Sequence, residues 1–100
     1  MNQFFEELGQ RWVAAARRRE AVVDAPTLDP RVALELLELA RVAAHTRERR
    51  FAPLSCFMAG VAAERLQMAK PGLDQRAVAE YINEIRQQLE AETPDAPNER

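Results

Sequence analysis

One hundred residues suffice for one small domain with a single core. A 47% hydrophobic, 30% charged composition excludes a fully disordered chain, and no apolar run reaches the roughly eighteen residues of a membrane span. The net charge of −2 provides no global positive field for a nucleic-acid backbone.

With three glycines among many Ala, Leu, Glu, Arg and Gln, the chain has strongly helical propensity. Residues 2–20 predict a first helix. Phe5, Leu8, Trp12 and Ala15 recur at three and four residues to form one apolar stripe, and Asn2 is placed to cap it. Gly9 weakens the interior unless a neighbouring helix needs close approach. Arg17, Arg18 and Arg19 compensate the helix dipole at the far end, an assignment preferred to polyanion binding.

Residues 21–28 read as a linker. Asp29 is a good N-cap and Pro30 suits the first position of a second helix, whose stripe runs through Val32, Ala33, Leu36, Leu37, Ala40, Ala43 and Ala44, widened by Leu34 and Leu39. Thr46 to Arg50 ends it with cations. Pro53 is expected to open the third helix, with Ala52 held extended before it. Leu54, Phe57, Met58, Val61, Ala62 and Leu66 are its expected buried side, while Cys56, Gly60 and Ala63 form a small-residue strip for a neighbouring helix. After Lys70-Pro71-Gly72, Asp74 caps a fourth helix with the stripe Val78, Tyr81, Ile82, Ile85, Leu89. The expected architecture is all-α: a small four-helix, mostly antiparallel bundle forming a single domain over residues 1–92, with a disordered C-terminal tail over 93–100.

One histidine and one cysteine are too few for a metal centre, and no glycine-rich phosphate loop or paired-carboxylate site stands out. No catalytic residue, cofactor or metal is therefore assigned. Cys56 sits among Leu54, Phe57 and Met58, which favours an inert buried thiol over a nucleophile paired with His45. A lone cysteine fits a reducing compartment, and the opening Met1-Asn2-Gln3 lacks the charged start of a signal peptide, so a cytoplasmic setting is expected. One candidate binding corner exists. The start of the third helix with Ser55, joined by His45, Arg47, Arg49 and Arg50 from the preceding turn, is an anion-binding candidate for a phosphorylated small molecule. The same arginines could instead serve the end of the second helix and pair with surface glutamates.

The segment L-E-L-L-E-L-A-R-V-A-A-H-T-R-E-R-R-F-A-P-L-S-C-F-M-A-G-V-A-A, residues 34–63, resembles a family of small uncharacterised actinobacterial helical proteins. Those carry a comparable L-L-x-L-A-R-x-V-A-H, an arginine-containing turn, and A-P-L-T-T-F-L-x-G-x-A-A. The matching positions run from Leu36, Leu37, Leu39, Ala40, Arg41, Ala44 and His45, through Arg49, to Ala52, Pro53, Leu54, Phe57, Gly60, Ala62 and Ala63. Ser55-Cys56 stands where threonines are usual, and the stretch before Asp29 is longer. Members are often labelled molybdopterin-guanine dinucleotide biosynthesis proteins. The resemblance implies a non-enzymatic accessory or adaptor domain associated with molybdenum-cofactor assembly, contacting a protein partner or phosphorylated ligand. The alternative is a stand-alone homodimeric interaction module without ligand, for instance pairing through residues 74–91.

Overall fold

A computed structural model describes residues 2–92, and the expected tail, 93–100, lies outside them. Among the described residues there are four helices and no strand: α1 (Gln3–Arg18), α2 (Pro30–Thr46), α3 (Phe51–Ala69) and α4 (Gln75–Ala91). None is long and apolar enough to cross a membrane. The chain divides into two compact units, Met1–Pro30 and Arg31–Arg100.

In the first unit the Asn2 side chain accepts from the Phe5 N–H at 3.2 Å, so the expected cap forms. At the other end Ala21 N bonds to Ala16 O and Glu20 N to Arg17 O, both at 2.9 Å, with Glu20 at φ 63°. This is the Schellman arrangement, with glutamate in the left-handed position that glycine usually takes. Arg19 also donates to Ala15 O at 3.0 Å, tying the basic triplet to the helix's unsatisfied carbonyls. The close approach at Gly9 is made by the linker and not by a helix, because the Pro26 carbonyl oxygen lies where a side chain would begin. Phe4, Phe5 and Trp12 nonetheless remain exposed.

The second unit is an up-down-up arrangement of α2, α3 and α4. Asn83 donates to Glu35 at 3.1 Å, Arg41 to Glu90 at 3.4 Å and Arg47 to Glu92 at 3.2 Å. These partners advance together along both helices, so α2 and α4 run in the same direction, with α3 antiparallel between the two turns. Its core is Val32, Leu39, Ala63, Val78, Ala79 and Ile82, with Leu36, Ala59 and Leu89 packed against it. Thr46 is buried at the end of α2, its hydroxyl satisfied by Val42 O at 2.8 Å. Asp74 caps α4 by accepting from Ala77 N at 2.9 Å. Between α3 and α4, Leu73 N bonds to Lys70 O at 3.3 Å and Gly72 has φ 98°, so Pro71-Gly72 forms the centre of a type II turn.

Two expectations are corrected. First, α3 begins at Phe51, two residues before Pro53, and Ala52 is helical. Phe51 N bonds to Glu48 O at 2.9 Å and Ala52 N to Arg49 O at 3.2 Å, which winds the turn directly into the helix. Proline is accommodated at the third position because the first four N–H groups of a helix need no intrahelical acceptor. Second, the expected buried side of α3 is only half covered: Leu54, Phe57 and Met58 are 61%, 72% and 71% exposed, while Val61, Ala62 and Leu66 are half-buried. Ala63 is buried, Ala59 packs against the core, and Cys56 donates to Leu36 O at 3.6 Å. The helix is apolar almost all round, and its small residues Ala59 and Ala63 mark the side that packs with Val78, Ala79 and Ile82 of α4. Leu34 and Leu37 of α2 are likewise exposed, at 65% and 66%.

Candidate functional site

The five residues of the expected anion corner make different contacts. Arg47 donates to Thr46 O at 3.1 Å and to Glu92, while Arg50 pairs with Glu48 at 2.6 Å. The backbone donors of Phe51 and Ala52 are taken by the turn, and Pro53 has none. Ser55 lines an apolar cavity. His45 and Arg49 are exposed on the turn side. No hydrogen bond joins any two of these five among the described residues. Arg47 and Arg50 thus serve a helix end and nearby carboxylates.

Cys56 and His45 do not meet either. The thiol is held at Leu36 O, and His45 lies nine residues further along α2, about 13 Å at 1.5 Å per residue. Partial burial pushes the Cys56 thiol above its ordinary pKa, which disfavours the thiolate. Among the described residues no group of His, Cys, Asp and Glu is gathered as a metal would require.

What the structure assembles instead is apolar surface. A cavity of about 250 Å³ opens between α2, α3 and α4, lined by Leu39, Met58, Ala59, Ala62, Ile82, Ile85 and Leu89, with Ser55 and Tyr81 as its polar members. Met58 and Tyr81 continue it into a shallower depression with Phe57, Val61 and Leu66. Phe57 and Val61 continue that into a third, floored by Gly60 and reaching Met68. A largely apolar strip, with Glu64 and Arg65 among the residues lining its outer depressions, therefore runs along α3. The expected small-residue strip of Cys56, Gly60 and Ala63 divides: Cys56 and Ala63 lie on the covered side with Ala59, and Gly60 lies on the outer side. Periodicity alone marks both sides as apolar.

No curated protein and no solved structure matches the chain. A family model described as a domain of unknown function matches residues 6–97 and names no pathway, so the molybdopterin expectation rests on the resemblance alone. The match spans nearly the whole sequence, and the chain belongs to this family, DUF6457.

Proposed function

We propose that this protein is a non-enzymatic interaction module that uses the outer side of α3 to bind protein. The observation that carries this reading is the exposure of Leu54, Phe57 and Met58 on one strip flanked by apolar depressions. Large apolar patches on soluble proteins mark interaction sites, and aromatic and methionine side chains are enriched in them. The resemblance of residues 34–63 adds a setting, molybdenum-cofactor nucleotide assembly, in which this module would act as an accessory.

Affinity purification from the source cells, comparing wild type with Phe57→Glu, tests the reading. Associations should be lost in the variant while its helical circular dichroism is retained. Identical associations in both proteins would sink the proposal.

A further inference from the structure

We infer that the occupant of the α3 surface is a second copy of this chain, paired antiparallel through α3 about a two-fold axis at Phe57; this rests on the interaction reading above. Arg50, Leu54, Phe57, Val61, Glu64 and Met68 recur at alternating steps of four and three, the spacing of a helix–helix seam. A closed two-fold contact must be self-complementary, each residue meeting its counterpart twice. With the axis at Phe57, the two phenylalanines meet each other. Leu54 of each copy falls opposite Gly60 of the other, where nothing of the chain's own lies within 4 Å of a would-be Cβ. Arg50 falls opposite Glu64, opposite charges at both ends of the apolar centre. Arg50 is available for this, since its guanidinium is 83% exposed and its pairing with Glu48 is a surface contact that exchanges readily.

The area is also suitable. Leu54, Phe57 and Met58 leave roughly 250–350 Å² of apolar surface uncovered within the paired stretch, taking ordinary side-chain areas. A standard interface contributes about 800 Å² per partner, of which roughly 450 Å² is apolar. The strip supplies most of that share, and Arg50, Glu64 and Arg65 provide a polar rim.

Light-scattering mass across a concentration series, on the full chain, reads the proposal. Wild type should pass from monomer to dimer. Arg50→Glu alone and Glu64→Arg alone should each move the midpoint at least several-fold to higher concentration, and the double variant should restore it. A wild-type dimer indifferent to both reversals, or one that the double variant fails to restore, overturns the register. A monomer at every concentration overturns self-pairing. If that monomer still holds a different protein through Phe57, the interaction reading survives; if Phe57→Glu changes nothing, both fall.

Discussion

Gly9 and Gly60 are the same residue in the same kind of element, and the structure assigns them opposite consequences. A Cβ at Gly9 would sit 2.9 Å from the Pro26 carbonyl oxygen and 3.7 Å from Ala25 Cβ. The first contact is with backbone, which cannot rotate away. Alanine gains about 1 kcal/mol of helix propensity there, but overpacking of this kind costs about 1–3 kcal/mol. Gly9→Ala should therefore be neutral to destabilising, with earlier proteolysis in the linker. Gly60 has open space around it, so Gly60→Ala should stabilise the dilute protein by about 0.5–1 kcal/mol. Urea unfolding of the two variants side by side checks the pair. Equal gains in both would show that the linker does not press on α1.

At the scale of elements, α3 and α4 differ in how their apolar residues are used. Val78 and Ile82 of α4 lie in the core at 3% exposure, where Ile82→Ala should cost about 3–4 kcal/mol through lost burial and the cavity left behind. Phe57→Ala on α3 removes a larger side chain yet should change monomer stability by no more than about 0.5 kcal/mol, as surface substitutions do. Chemical denaturation at low concentration distinguishes them, and a loss at Phe57 matching that at Ile82 would mean its ring is buried in the monomer. The same contrast explains what was legible in the sequence. Four helices, the caps at Asn2 and Asp74 and the stop at Pro71-Gly72 follow from local chemistry, which the sequence displays. The α4 stripe was readable because polar residues fill its other side. In α3 apolar residues occupy every side, so orientation depends on which neighbour fits, a tertiary choice that periodicity does not encode. The partners of the basic turn were hidden for a related reason. Arg47 donates to Glu92, far along the chain, and to Thr46 O beside it, while Ser55 lines the apolar cavity.

At the scale of the whole second unit, charged bridges fasten α2 alongside α4, and they make its stability depend on acid. Glu90 accepts from Arg86 at 2.7 Å on its own helix and from Arg41 at 3.4 Å across to α2. The hydrogen bond from Arg86, then that from Arg41, holds the Glu90 carboxyl below its ordinary pKa. Between the lowered folded value and the unfolded one, the unfolded chain binds more protons, so stability rises with pH across that window. The contribution is fully present above the unfolded glutamate value of about 4.3 and is lost as pH falls through the folded value. Glu90→Gln should accordingly show a shallower decline of its urea midpoint in acid than wild type. Arg41 and Glu90 are 48% and 43% exposed while Arg86 is only 20% exposed, so about 1 M salt, with its Debye length of about 3 Å, should shrink the part of the difference between Glu90→Gln and wild type that comes from Arg41. Parallel acid curves for wild type and Glu90→Gln at low salt would show that the Glu90 bridges do not contribute to holding the helices.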